Sequence, residues 1–379
     1  MKTQNFITLV QQIAQTLRLD YQIAQFGERS YPLFYGNTVL LNLGALLQQQ
    51  DIRGKALIVS HPELRDLFGD QTEQSLRKSG YTVEWTTFPA GERQKNLATV
   101  SRLYDASAKA RIDKNSAIIA LGGGVVQDIT NFLAATYMRG VPFIQIPTTV
   151  LSQADTGIGG CAIDHPTGKS LIGQFYQPRL VLMDSSVLKT LPESEVTNGL
   201  AEIINKVMCL GGMKTDSINE DIQKIKAGDW GMLSDYIKLS NKIKLGIIEQ
   251  DETGSRGPRL LLCWGHTITH ALEKSLDYSV SHGWALGIGM YGAAILSHQL
   301  GYLDRNRVKE LRRTIENTGL PTQLPSNIKT DELIKYMTLD QKVEGSKKRF
   351  VLLRDFGDAF VSDPISDKQI EDCLTELSR

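Results

Sequence analysis

Between residue 31 and about residue 180, short apolar strands alternate with helical segments, and this alternation restricts the fold more than any other feature of the chain. "KALIVS" (55–60) reads as a buried strand, "ELRDLFGDQTEQSLRKSG" as a helix and "YTVEWTTF" as a second strand. The helical "NLATVSRLYDASAKARI" and the strand "SAIIALGGG" follow. Strands joined through a covering helix run parallel, so this order predicts an α/β domain with a mainly parallel sheet and helices on both faces. Sheets of this kind bind ligands beyond the carboxyl ends of their strands.

After residue 192 strand signals almost vanish. Amphipathic stretches at 195–212, 233–250, 265–277, 283–300, 305–318 and 330–338 predict a mostly α-helical second domain. "RFVLLRDFGDAFV" is its one strand-like exception. The expected division is an N-terminal helical extension (1–27), an α/β domain (28–185) and a helical domain (186–379), with the cleft between the last two as the default active site. In the extension, Phe6, Leu9, Val10, Ile13 and Leu17 recur at helical spacing, as in an amphipathic helix docking on the body or on a second subunit.

Charge and cysteine content exclude several classes. The 379 residues carry 42 basic and 42 acidic side chains, so no net field favours nucleic acid or an anionic membrane. No apolar run approaches the ~20 residues that cross a bilayer, and the N-terminal stretch is too short and interrupted for a signal peptide. Four cysteines without a C-x-x-C pair point to reduced thiols in the cytoplasm.

The chemistry should lie at the strand ends. "IIALGGGVVQD" runs an apolar strand into Gly122, Gly123 and Gly124, where bare backbone N–H groups and a helix N-terminus suit a pyrophosphate. A tight strand-to-helix turn is the other reading. In "PAGERQKN", Glu92 and Lys95 suit a ribose or phosphate, or form a solvated i,i+3 pair. "FIQIPTTVLSQADTGIGG" ends a strand in Thr148 and Thr149 and brings Asp155 beside a glycine run, as a ligand-hydroxyl contact or a turn cap. "HPTGKS" offers Lys169 and Ser170 to an anion. In the helical half, "RLLLCWGHTITHALE" puts His266 and His270 on one helix face, "SVSHGWALGIGM" adds His282, and "NGLAEIINK" sets Glu202 in an apolar helix. That is either a Glu/His zinc site or a set of core histidines satisfied by backbone bonds.

"GGGVVQD", "AATYMRGVPFIQIPTTVLSQAD", "GKSLIGQFYQPRLVLMDSSVLKTLP", "GLAEII", "GHTITHALE" and "FVLL", in this order, resemble the 3-dehydroquinate synthase family of sugar-phosphate cyclases. The resemblance runs from about Tyr31 to the C-terminus. It implies an NAD-binding first domain, a helical metal-binding second domain and a homodimer acting on a small anionic sugar phosphate. It implies Glu202, His266 and His282 as ligands of zinc, with cobalt also accepted, and His270 near the leaving phosphate. For NAD it implies Glu92, Lys95, Gly122, Gly123, Gly124, Asp128, Thr148, Thr149 and Thr190. Asp155, Lys169, Lys244 and Arg259 fall at substrate positions, with Arg139 reaching a neighbouring subunit's phosphate site. The implied chemistry is transient oxidation of a hydroxyl, phosphate elimination, re-reduction and an intramolecular aldol closure, with no net redox change.

The chain also departs from the family pattern. The G-G-K-T segment reads "GGCAIDHP", with Cys161 and no lysine; G-K-N has become "GKS" through Ser170. The E-x-x-K after the zinc glutamate is "EIINK", with Asn205 in the lysine position and Lys206 one step on. Cys263, Trp284 and Gln127 replace a family asparagine, glutamate and glycine, and a paired lysine is reduced to Lys342. Ser170, Lys206, Arg139 and Lys342 are therefore the expected holders of a rebuilt phosphate site, and an altered substrate is expected. An NAD- and metal-dependent polyol or sugar dehydrogenase and a catalytically inactive homologue are the alternatives, separable by net NADH formation and by loss of both metal and nucleotide.

Overall fold

The alternating half of the chain builds one seven-stranded sheet in the computed structural model, which describes residues 3–155, 158–254, 257–337 and 348–379. Its strands are β1 (Asp20–Ala24), β2 (Tyr31–Gly36), β3 (Lys55–Ser60), β4 (Thr82–Thr87), β5 (Ala117–Gly122), β6 (Phe143–Pro147) and β9 (Leu180–Asp184). Before β9, a separate hairpin pairs β7 (Cys161–His165) with β8 (Gly168–Gln174). The sheet order is β1-β2-β9-β6-β5-β3-β4, antiparallel only between β1 and β2. Around it run α1 (Thr3–Leu17), α2 (Leu43–Gln49), α3 (Pro62–Lys78), α4 (Leu97–Lys109), α5 (Gly124–Thr136) and α6 (Val150–Ala154).

Burial explains why these runs are strands. β5 and β9 are buried at every position and read as continuous apolar runs, as interior parallel strands must, whereas the edge strand β4 alternates. Leu57, Val59, Ile118, Ala120 and Phe143 pack with Val126, Ile129 and Leu133 of α5. Each of these side chains except Ala120 contributes about 1.5–3 kcal/mol on burial. The winding reverses between β3 and β5, and that switch point puts Gly122–Gly124 where open α/β sheets take their ligands.

Two units divide the chain, Met1–Leu191 and Pro192–Arg379. The second contains α7 (Glu193–Cys209), α8 (Thr215–Lys226), α9 (Trp230–Ile248), α10 (His266–Ser275), α11 (His282–Gln299), α12 (Arg305–Thr318), α13 (Thr330–Met337) and α14 (Asp367–Leu377). Its only paired strands among the described residues are β10 (Val351–Asp355) and β11 (Asp358–Val361).

The expected α/β and helical halves are both present, with four local differences. The N-terminal segment expected to be only helical also supplies β1, which extends the sheet by pairing with β2. The glycine-rich segment after Asp155, where no strand was expected, leads into the β7–β8 hairpin, and the late strand-like stretch is a hairpin. Helices α8 and α14 were not expected.

Glycines set how closely α10 and α11 approach. Gly265 has φ 79° at the start of α10, a left-handed conformation that favours glycine. A Cβ at Gly289 of α11 would collide with Thr269 Oγ1 and the Gly265 carbonyl. Gly289→Ala is therefore expected to cost about 1–3 kcal/mol as overpacking, read as a lower denaturation midpoint. An unchanged midpoint would show that the two helices can separate freely.

Candidate functional site

Helix α7 carries Glu202 at its middle, 3 % exposed, while His266 and His282 are the first residues of α10 and α11. The Asn198 side chain of α7 accepts from Gly283 N at 2.7 Å, which ties the start of α11 to α7. One carboxylate oxygen and two imidazole nitrogens then converge: Glu202 Oε1 lies 3.1 Å from His266 Nε2 and 3.1 Å from His282 Nε2. The ligand atoms of all three residues lie within 4.8 Å of one another. An anionic oxygen with two imidazole nitrogens suits a four-coordinate divalent cation with an open position.

Each of these three side chains has its other polar atom occupied. Lys206, one helical turn beyond Glu202, donates to Glu202 Oε2 at 2.9 Å and is 1 % exposed. Nδ1 of His266 faces the Trp264 carbonyl at 3.1 Å, and Asn205 Nδ2 donates to that same carbonyl at 2.7 Å. Nδ1 of His282 faces Glu273 Oε1 at 3.0 Å. Burial pushes the Glu202 carboxyl up, but the charges of Lys206 and His266 and the imidazole hydrogen bonds outweigh it and hold the group well below the usual carboxylate range. Burial likewise works against the His282 imidazolium, yet hydrogen bonds and charge from Glu202 and Glu273 carry it up to about 10.

The remaining expected residues of this unit are placed as follows. The His270 ring is exposed, with centroids 5.5 Å from His266 and 6.4 Å from His282. Lys244 is buried in α9, and Arg259 lies on the short 3-10 turn Pro258–Cys263, its guanidinium donating to the Glu252 carbonyl. Lys206, expected at a phosphate, is turned onto Glu202. Lys342 lies outside the described residues. Glu273, Asn205 and Asn198 were missed; Glu273 was detectable two helical turns beyond His266, on the same face of α10.

In the first unit, α5 starts at Gly124 with Gly123 as its cap and no side-chain capping bond. Thr149 packs against Gly123, 3.2 Å from where a Cβ would stand, and Thr148 N donates to the Gly122 carbonyl at 3.0 Å. A Cβ at Gly122 would strike Val126, so this glycine also serves the tight turn. Gln127 folds its amide back onto the Gly122 carbonyl at 2.9 Å. Lys95 and Asp128 form a 2.6 Å ion pair; burial lowers the lysine, but Asp128 and Glu92 outweigh it and raise it above the usual range. Lys169 lies 3.4 Å from Glu92, which docks β8 on the same group.

Other positions are less assembled. Cys161 is buried in β7, its thiol donating to the Gln174 carbonyl and pushed up by burial to about 12. Ser170 adopts φ 56° and donates its backbone N–H to Asp164. Asp155 follows α6, exposed Thr190 turns its hydroxyl to the Val187 carbonyl, and exposed Arg139 lies in a turn with two left-handed residues, Met138 and itself.

Residues 85–198 match the family model "3-dehydroquinate synthase N-terminal" and residues 199–343 match "3-dehydroquinate synthase C-terminal". A protein of Pelotomaculum thermopropionicum named 3-dehydroquinate synthase is 41 % identical over 342 residues, 90 % of this chain and 92 % of that one. The chain belongs to the 3-dehydroquinate synthase family. The fold is shared more widely: a 2-deoxy-scyllo-inosose synthase complexed with carbaglucose-6-phosphate, NAD+ and Co2+ superposes with a TM-score of 0.85 at 22 % identity, over 94 % of this chain and 100 % of that one. A 2-epi-5-epi-valiolone synthase from Streptomyces hygroscopicus subsp. jinggangensis 5008, with NAD+ and Zn2+ bound, does so at 0.83 and 24 % identity, over 94 % and 99 %. In this chain the residues just after the buried glutamate turn inward, Lys206 onto Glu202 and Asn205 onto the Trp264 carbonyl.

Proposed function

We propose that this protein is a sugar-phosphate cyclase of the 3-dehydroquinate synthase type, a phosphate-eliminating carbon–oxygen lyase that closes a phosphorylated sugar to a carbocycle without net redox change. The observation that carries this reading is the convergence of Glu202 Oε1 with the Nε2 atoms of His266 and His282 in a chain of that family. Their donor set fits zinc or cobalt, and the uncapped start of α5 beside Thr148 and Thr149 fits the pyrophosphate of NAD. When bound, the nucleotide supplies reversible hydride transfer and the cation supplies Lewis acidity at a substrate oxygen.

The side chains divide the remaining work. Glu92, Lys95, Asp128 and Thr190 join the glycines in holding the nucleotide, and Asp155 takes a substrate hydroxyl. Lys169, Lys244 and Arg259 orient the anionic substrate by charge-assisted bonds. His270, exposed beside the ligand histidines, holds a proton near the departing phosphate, and Ser170 and Lys342 stand at the phosphate end. The protein acts as a homodimer in which the exposed Arg139 reaches the neighbouring subunit's phosphate site. Four unbridged cysteines fit a reducing, cytoplasmic setting, and among the described residues no helix is long and apolar enough to cross a membrane.

The test is incubation of the purified chain with 3-deoxy-D-arabino-heptulosonate 7-phosphate, Zn2+ and NAD+. Release of phosphate with a cyclic product is expected, from this substrate or from another sugar phosphate if the altered positions have shifted the preference. NADH accumulating from polyols, with no phosphate from this or other sugar phosphates, would instead mark a dehydrogenase.

A further inference from the structure

Glu273 has no part in the reaction proposed above, yet its surroundings are unusual for a helix carboxylate. It is 3 % exposed in α10 and lies 3.0 Å from His282 Nδ1, on the side of that ring opposite Glu202. A buried carboxylate is costly unless a charge or hydrogen bond answers it, so its position beside one ligand histidine calls for an explanation. Chain geometry supplies it. Asp277 and Tyr278, between α10 and α11, adopt φ 49° and 55°, two consecutive left-handed residues without glycine. Tyr278 N donates to the Glu273 carbonyl at 2.8 Å, which holds this strained turn against the end of α10. The turn brings Ser281 and His282 back beside the helix they have just left. Strain of this kind persists only where the surroundings over-determine it.

Resting on the reading that Glu202, His266 and His282 hold a divalent cation, we propose that Glu273 is a positioning residue for that cation: its carboxylate fixes the His282 tautomer and ring. With Nδ1–H donated to Glu273, the Nε2 lone pair is left facing Glu202 Oε1 and the cation. The negative charge also makes the imidazole a stronger donor. Helix α10 thus supplies one ligand directly, His266, and the orientation of another on α11. Its counterpart for His266 is the uncharged Trp264 carbonyl, so of the two histidines it is His282 that has the charged support.

The experiment is Zn2+ affinity by chelator competition on the full chain, for the wild type, Glu273→Gln and Glu273→Ala, with Co2+ absorption spectra and the thermal midpoint of the metal-free proteins alongside. The alanine variant is expected to bind Zn2+ about 10- to 100-fold more weakly, with altered Co2+ bands. The glutamine variant keeps an acceptor for Nδ1–H and should fall between the two. A merely structural carboxylate would lower the midpoint and leave Zn2+ affinity of the folded protein within twofold of wild type, which would overturn the proposal. If the alanine variant does not fold, the glutamine variant decides: weaker binding with altered Co2+ bands supports the proposal, and wild-type binding overturns it. A wild-type chain that retains no Zn2+ would overturn the cation reading itself, an outcome distinct from a Glu273 variant that binds normally.

Discussion

Glu202→Gln is expected to leave the fold in place and to lower turnover by on the order of 1000-fold, or about 4 kcal/mol, together with loss of retained metal. The substitution keeps shape and still offers an oxygen to Lys206, so the helix and its neighbours need not rearrange. What it removes is the negative charge at the point where the two imidazoles converge, since Glu202 Oε1 is the atom that both Nε2 groups meet. Metal content of the purified variant, measured beside phosphate release, separates this cause from a folding defect. A variant that keeps a full complement of metal and near-normal turnover would remove Glu202 from the site.

The second large effect is on stability. Lys206→Met strips the ammonium from Glu202 Oε2, leaving a carboxylate that is 4 % exposed without its closest cation. Breaking a buried pair from one side costs about 3–5 kcal/mol. The lower end is expected, because His282, carried up to about 10 by its two carboxylates, remains as a second cation. Urea unfolding of the metal-free protein should show this loss, and saturating Zn2+ should recover most of it by neutralising the same carboxylate. A loss below about 1 kcal/mol would mean that Lys206 is not the counter-charge of Glu202.

Much of this arrangement was legible in the chain. Continuous apolar runs such as residues 117–122 could only be interior strands, and the glycines after them fell at the sheet's switch point. The Glu/His/His set was visible as residue types, though spacing alone left open whether the histidines were ligands or core, because Glu202, His266 and His282 come from three helices whose packing no local pattern states. β1, five residues of mixed polarity, has too weak an alternation to separate it from the preceding helix. In the β7–β8 hairpin, β8 opens on Gly168, Lys169 and Ser170, poor strand formers held by pairing and by docking on Lys95 and Glu92.

The sites of misreading share one physical cause. Lys206 looks like a solvent- or substrate-facing charge until the helix turn that puts it over Glu202 is buried by its neighbours. Glu273 looks like an ordinary helix-surface glutamate until the strained Asp277–Tyr278 turn brings His282 against it. In both cases the partner lies one or more turns away or on another helix, and burial, which no sequence window displays, decides whether the charge meets water or a ligand.

Whether the hydride is returned is read from the amount of phosphate released per NAD+ when nucleotide is limiting, with heptulosonate phosphate and Zn2+ in excess and the nicotinamide absorbance followed throughout. A nucleotide that returns its hydride within each cycle predicts many phosphates per NAD+ and no lasting NADH. Phosphate release that stops at one per NAD+, with NADH accumulating in step, would show that the hydride is not returned and that the protein is no cyclase of this type.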